Sequence, residues 1–341
     1  MADSQTSKLT AKPTPGRQAF DNPARLALAT LFAARPNARL GVAYSGGADS
    51  TALLLAAAHQ WPGQVQALHI HHGLQAAAND FVRVCTSVCT AHSLVLHVVQ
   101  VNATAAHGES PEDAARKARY AALSASALQL GLQGVLLGQH ADDQVETLLL
   151  ALSRGAGLPG LASMAAQFER GGMTFYRPLL QTPAKSLRHW LEQCHIPFVD
   201  DPTNTDERYT RNRIRARLMP ALDDAFPHFR ETFARSARHA AQAQSLLAEV
   251  ARDDLLKVGL EPAIKALQAL SPARQANLLR HWLLQTHHAT PSTAQMAQLL
   301  SQVAACTTRG HQIHLKVAAG HVTRLGAVLR YVPADKPLGC L

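Results

Sequence analysis

Helical and strand patterns alternate through the first half of this 341-residue chain, which predicts an α/β fold: a parallel sheet with flanking helices, followed by a smaller, mainly helical C-terminal domain. Two further observations support that class. The apolar run Leu40–Tyr44 passes through glycines into the helix-prone run Thr51–Ala56, the strand–turn–helix unit of such sheets. The composition is 47% hydrophobic but only 5% aromatic, which suits Ala- and Leu-rich helices covering a sheet.

The elements follow in order. Residues 22–34 read as a helix, 41–44 as the first strand and 49–59 as its helix; 65–70, 76–92 and 94–101 read as strand, helix and strand. Ser110-Pro111-Glu112-Asp113 combines an N-cap, a proline at the first helical position and first-turn acids, opening a helix that runs to about residue 130. Residues 135–138 form the fourth strand, and 142–154 a helix that stops at Gly155. A strand within 173–180 and a helix over 183–195 come next. The Arg- and Ala-rich stretch 205–249 is helical with breaks near Pro220 and Pro227; helices at 272–286 and 291–305 and strands at 312–317 and 326–332 end the chain. Gly155-Ala156-Gly157-Leu158-Pro159-Gly160 satisfies G-x-G-x-x-G, but it follows a helix and carries Pro159 where a helix should open, so the dinucleotide reading fails.

Charge is distributed unevenly. The formal charge is +9; residues 1–165 hold 11 Lys/Arg against 10 Asp/Glu, and residues 166–341 hold 22 against 14. A polyanion bound by the later segments explains this, nucleic acid ahead of an anionic membrane surface, with a basic surface kept for solubility as the bland alternative. No run approaches the ~20 apolar residues of a membrane span, and Met1–Arg17 has no apolar core of a signal peptide. Five cysteines (Cys85, Cys89, Cys194, Cys306, Cys340) without a C-x-x-C point to a reducing compartment, and a cytoplasmic protein is expected.

Ser45-Gly46-Gly47-Ala48-Asp49-Ser50 stands between the first strand and its helix, where glycines aim backbone N–H groups outward and the helix N-terminus favours a phosphate. It lacks the Walker lysine. The alternative is an ordinary turn capped by Asp49 or Ser50. After strand four, His140-Ala141-Asp142-Asp143-Gln144-Val145-Glu146 places Asp143 and Glu146 on one helical face at the carboxyl edge of the sheet, with Asp142 or Asp143 also able to serve as a cap. Such carboxylates suit Mg²⁺, and His140 suits substrate orientation or proton relay. Arg116 and Arg119 share a helix face fit for phosphate or carboxylate, or form a solvated face with a Glu112–Arg116 pair. His69-Ile70-His71-His72-Gly73 ends strand two; pocket lining is favoured over zinc, with simple packing an equal alternative. Arg208, Arg211 and Arg215 fall on one helical face with Arg213 and Arg217 nearby, nearly no local acid, and Ile214 and Leu218 facing a core: a phosphate-backbone track.

The Ser45–Ser50 motif resembles the signature of PP-loop ATP pyrophosphatases. Taken with His69–Leu74, Ala114–Tyr120, His140–Thr147, Arg154–Leu158, Asp200-Asp201-Pro202-Thr203-Asn204 and Arg211–Arg215, the chain from about residue 38 to 222 resembles the tRNA(Ile)-lysidine synthetase family. The likeness continues more weakly through Leu278–Leu283 and Pro291-Ser292. The resemblance implies a PP-loop catalytic domain over 21–222, a helical linker over 223–250 and a small tRNA-binding domain over 251–341, after a disordered segment 1–20. A further C-terminal domain carried by many members is not seen. It also implies that ATP activates C2 of the wobble cytidine of a CAU-anticodon tRNA(Ile) and that the ε-amine of free L-lysine displaces AMP. Ser45 to Ser50 would hold ATP, Asp49 and Asp143 Mg²⁺. Asp49, Arg116, His140, Asp143 and Glu146 would form the catalytic set, and Arg119, Arg208, Arg211, Arg213, Arg215 and Arg217 would hold the tRNA. Oligomeric state stays open, a homodimer included. The rivals are a PP-loop tRNA thiolase, which needs reactive or cluster-binding cysteines, and a small-metabolite amide synthetase.

Overall fold

Leu40 and Val42 are fully buried in β1 (Leu40–Ala43), which explains why this strand shows no polar alternation: both of its faces are covered by helices. In the computed structural model, which describes residues 22–71, 78–101, 111–308 and 310–334, β1 lies inside a six-stranded sheet of order β3-β2-β1-β4-β6-β5. Segment 1–20, His72-Gly73, Ser110 and Cys340 lie outside the described residues. β2 (Val65–His71), β3 (Val95–Gln100), β4 (Gly134–Leu136) and β6 (Met173–Tyr176) run parallel with β1.

β5 (Gln167–Arg170), absent from the sequence reading, forms an antiparallel hairpin with β6 through Gly171 and Gly172, both at positive φ. Its only large apolar residue is Phe168, stacked on Phe175 at 5.2 Å, so four edge residues leave too weak a pattern to read.

The helices are α1 (Pro23–Ala34), α2 (Ala48–Gln60), α3 (Ala78–Ala91), α4 (Pro111–Gln129), α5 (Ala141–Ser153), the one-turn α6 (Leu158–Leu161) and α7 (Ala184–Gln193). Leu28, Leu53, Leu54 and Trp61 pack with β1 in one cluster; Leu123, Val135 and Phe175 belong to another. Each fully buried Leu of this kind contributes about 1.5–3 kcal/mol over an exposed one. Gly155 ends α5 at φ +63° as expected. Pro159, however, lies within the first turn of α6, where no intrahelical bond needs its missing amide.

The register Leu40↔Gly134 and Val42↔Leu136 sets β1 beside β4. From β1 the sheet proceeds through β2 and β3; from β4 it proceeds the other way. The loops after β1 and β4 therefore leave the sheet side by side at its switch point, where open α/β sheets bind ligands.

A 3₁₀ turn (Pro202–Thr205), α8 (Thr210–Arg213), a π-helical turn (Ile214–Leu218) and α9 (Met219–Ala225) follow. Pro220 does not break this run, because it occupies the first turn of α9; the break comes at Pro227, before α10 (Phe229–Val258). The chain divides into two compact units within α10, between Arg238 and His239, so the expected 223–250 segment falls on the end of α9 and most of α10.

The second unit contains α11 (Ile264–Gln268), α12 (Pro272–His287), α13 (Thr293–Ala305) and an antiparallel sheet of β7 (His314–Val317), β8 (Gly320–Leu325) and β9 (Val328–Pro333). Its core gathers Leu278, Leu279, Trp282, Leu299, Val317, Val322 and Leu329. Ser271 and Ser292 cap α12 and α13 through their side chains. The sequence reading had two strands here; β8 escaped it because two basic residues and a threonine accompany its one buried valine.

Candidate active site

Gly46 adopts φ +88°, a left-handed conformation that favours glycine. The two serines of the loop hold its shape. Ser50 Oγ accepts from Ser45 N (3.2 Å), lies 3.0 Å from Ser45 Oγ and donates to Gly47 O (3.0 Å), to which Thr51 Oγ1 also donates (2.9 Å). Gly47, not Asp49 or Ser50, is the N-cap of α2, and it has no side-chain oxygen to offer. The first amides of α2 are thus left without a side-chain cap beside a preformed loop, the arrangement that receives phosphate oxygens. From the opposite side Val199 N donates to Gly46 O (2.9 Å). The Val199 segment is secured by an Arg188–Asp200 ion pair and by Arg188 lying 4.9 Å over the Phe198 ring.

Gly138, just past β4, was not singled out by sequence reasoning. A Cβ there would stand 3.2 Å from Ser50 N and 3.3 Å from Ser50 Cα, so glycine allows the exit of β4 to pass directly against the start of α2. A glycine that immediately follows a short apolar strand and precedes polar residues is the available signal.

His140 is the N-cap of α5. Its Nδ1 accepts from Asp143 N (3.3 Å) while Asp143 Oδ2 accepts from His140 N (3.1 Å), a reciprocal capping box. Because Nδ1 accepts, a neutral imidazole carries its proton on Nε2. That atom lies 3.6 Å from Asp49 Oδ2 and 3.4 Å from Asp143 Oδ2, so one ring links the phosphate loop to the acidic helix. Asp142 is used structurally: it accepts from Ala184 N (2.9 Å) and Arg230 Nε (2.6 Å).

Asp143 and Glu146 share a face as predicted, and both are buried, Glu146 to 0% exposure. Arg215 supplies the counter-charge. Its Nε donates to Glu146 Oε1, and its Nη2 donates to Glu146 Oε2 (3.1 Å) and Asp143 Oδ1 (3.0 Å). Burial pushes the Glu146 carboxyl above the ordinary carboxylate range against the pull of Arg215. Burial also raises Asp49, which His140 partly offsets and Asp143 reinforces.

The arginine-rich segment differs from its sequence reading. Ile214 is buried, but Leu218 is 49% exposed, and Arg215 turns into the site rather than lying on a surface track. The cause is the π-helical turn at Ile214–Leu218, a wide turn that breaks the 3.6-residue period on which that reading rests. Local acid is also present: Arg208 pairs with Asp206 (2.7 Å) and Arg217 with Glu207. Arg213 donates to the carbonyls of Glu207 (2.9 Å) and Arg208 (3.1 Å), and Arg211 is exposed. Arg116 and Arg119 are exposed on α4, where Arg116 pairs with Asp113 (2.8 Å), and among the described residues neither joins the carboxylate cluster.

His69 packs rather than lines a pocket: it is buried, with Nδ1 2.9 Å from Tyr44 O and 3.5 Å from Cys85 Sγ. Among the described residues no group of three or more His, Cys, Asp or Glu side chains is placed to hold a metal ion. None of their helices is long and apolar enough to cross a membrane.

A glycine turn of this shape at the switch point of a mainly parallel sheet, facing an acidic helix start across it, defines a PP-loop nucleotide-binding domain. The family profile described as PP-loop domain matches residues 21–222, and the one described as TilS substrate binding domain matches residues 263–331. The chain is 72% identical over 316 residues to the tRNA(Ile)-lysidine synthase of Polaromonas naphthalenivorans, covering 92% of this chain and 96% of that one. It is 40% identical to the Bordetella bronchiseptica enzyme of the same name over 337 residues, covering 93% and 97%. The chain belongs to the tRNA(Ile)-lysidine synthase family. Among solved structures, the U34-tRNA thiolase NcsA from Methanococcus maripaludis shares the fold, with a TM-score of 0.53 at 13% identity over 66% of this chain and 78% of that one.

Proposed function

We propose that this protein uses ATP to ligate free L-lysine to C2 of the wobble cytidine of a CAU-anticodon tRNA(Ile), forming lysidine, AMP and pyrophosphate. The observation that carries this reading is the juxtaposition made by His140, whose Nε2 stands 3.6 Å from Asp49 on the phosphate loop and 3.4 Å from Asp143 on the acidic helix. A site that activates with ATP and then admits a cationic nucleophile needs those two halves in contact.

The preformed Ser45–Ser50 loop seats the phosphates of ATP, with the first amides of α2 offsetting their charge. The cytidine oxygen at C2 bonds to the α-phosphorus as pyrophosphate departs. The lysine ε-nitrogen then bonds to C2, and AMP leaves with that oxygen. Before attack the ammonium must lose a proton, and this reading assigns Asp143 or Glu146 to bind it and accept that proton. Arg215 donates to both carboxylates and supplies their counter-charge in the absence of lysine. The donor set also fits Mg²⁺: Asp49 and Asp143 present hard oxygens, and so small a protein ligand set agrees with an ion held by one or two carboxylates plus substrate phosphates. That ion would neutralise charge on the departing pyrophosphate.

A thiolase reading finds no support in the cysteines. Cys85 and Cys89 are buried and their thiols are pushed up to about 12 and about 11, chiefly by burial, so alkylation of the native protein at neutral pH is expected to spare both. Incubation with ATP, radiolabelled lysine and CAU-anticodon tRNA(Ile) is expected to transfer label to the tRNA. Pyrophosphate release with some other acceptor, and no lysine incorporated, would refute the proposal.

A further inference from the structure

Between Pro262 and Ala334 the chain contains no Asp or Glu, although it carries seven Lys/Arg and six His. Several of those cations are already committed. Arg274 pairs with the buried Asp254 and Arg330 with Glu261, both acids preceding the run. Arg324 donates to the carbonyls of Gly326 (2.7 Å), Thr308 (2.7 Å) and His311 (2.8 Å).

Lys316 has no carboxylate partner among the described residues, and its position is informative. In β7, Leu315 and Val317 face the core, so His314 and Lys316 face outward and are exposed. Across the ladder Thr323 lies opposite His314, and His321 opposite Lys316, on the same outward face, while Val322 between them is buried. The rings of His314 and His321 stack diagonally, 4.5 Å apart at 19°. One sheet face therefore presents an ammonium, two imidazoles held as a flat stack, and a hydroxyl, with no acidic side chain on β7, β8 or β9.

We propose that this outward face of β7–β8 is a binding surface for the sugar–phosphate backbone of the tRNA substrate, engaged through Lys316, His314 and His321. Lys316 supplies a positive charge complementary to phosphate, and the stacked rings beside it offer N–H donors to neighbouring phosphate and sugar oxygens. An acidic protein would meet the same charge, and RNA is favoured because the proposed reaction brings a tRNA to this protein. The inference rests on the reading that the protein modifies a tRNA.

The test measures binding of a CAU-anticodon tRNA(Ile) transcript across a salt series to wild type, Lys316→Gln, Lys316→Arg and the triple variant His314→Ala/Lys316→Gln/His321→Ala, alongside lysine incorporation. All three side chains face outward, so the melting curves are expected to match wild type. The triple variant is expected to weaken Kd roughly tenfold and to flatten the log K against log salt slope by about 0.9 for each phosphate no longer engaged. KM for tRNA rises, kcat at saturating tRNA is retained, and Lys316→Arg preserves binding. An unchanged Kd and slope in a triple variant that melts like wild type overturns the surface. So does a variant that loses binding to polyglutamate but not to tRNA, which assigns the face to an acidic protein. A wild-type protein that incorporates no lysine refutes the enzymatic reading instead, and the two failures are thereby distinguished.

Discussion

The two units of this chain treat charge in opposite ways. At the sheet edge of the first, carboxylates are buried and closed onto guanidinium groups: Asp143 and Glu146 on Arg215, Asp142 on Arg230. On the small sheet of the second, an exposed lysine and two histidines stand on strands that carry no acid, Glu261 reaching the sheet only through its pair with Arg330. Paired, buried charge fixes geometry within a few tenths of an ångström and is little affected by salt; unpaired, exposed charge acts over a Debye length and is screened by it. The first suits a reaction centre, the second a polyanion that must be caught and released.

That contrast is broken most forcefully at Arg215. Arg215→Ala strands the fully buried Glu146 carboxylate beside Asp143, and removing one partner of a buried pair costs about 3–5 kcal/mol. Urea unfolding is expected to show this loss, and the double variant Arg215→Ala/Glu146→Gln to recover part of it, because the uncompensated charge is gone. A double variant no more stable than Arg215→Ala would remove the pairing argument. Lys316→Gln, by comparison, is expected to stay within about 0.5 kcal/mol of wild type.

The next largest effect falls on the approach between the two loops. Gly138→Ala places a Cβ 3.2 Å from Ser50 N, a backbone atom that yields only if α2 shifts. Overpacking of this kind costs about 1–3 kcal/mol. KM for ATP should rise with it, because the displaced atoms belong to the phosphate loop. Unaltered ATP kinetics in a destabilised Gly138→Ala protein would mean that the packing serves the sheet and not the loop.

How much of this was legible in the sequence follows from where the signals reside. The strand–glycine–helix unit at Ser45–Ser50 and the shared face of Asp143 and Glu146 are local patterns, spaced along a few residues, and both appear as read. The mainly parallel sheet was legible for the same reason, since each strand–helix alternation is local. Arg215 was read as part of a phosphate-backbone track, and its pairing with Asp143 and Glu146 was not legible. Its partner Glu146 is 69 positions away, and the π-helical turn that carries it obeys no period that a helical projection can detect. Gly138 was missed likewise, its function being an approach between two loops whose adjacency only the strand order creates. The capping alternative raised for Ser50 shows why such a choice cannot be made locally: a hydroxyl that braces its own loop has the same sequence signature as one that caps a helix.

The smallest effect sharpens the comparison from an intermediate case, a charge pair that is neither buried nor free. Arg188 holds Asp200 beside the segment whose Val199 N–H bonds Gly46 O, and the Asp200 carboxyl lies below its ordinary range because of the hydrogen bond from Arg188. A depressed carboxylate stabilises the fold above its unfolded pKa of about 3.9, and that contribution is lost as pH falls from there through the lower folded value. Asp200 is 66% exposed, so solvent screening holds the whole contribution below about 1 kcal/mol. Melting temperatures of wild type and Arg188→Ala should therefore differ slightly at pH 6 and converge on approach to pH 3. The kinetic effect is expected to exceed the thermal one, because the pair secures a segment hydrogen-bonded to the phosphate loop: Arg188→Ala should raise KM for ATP several-fold while Arg188→Lys restores part of the loss. Equal KM values in all three proteins would leave Arg188–Asp200 as an ordinary surface pair and place the closure of the loop on Val199 alone.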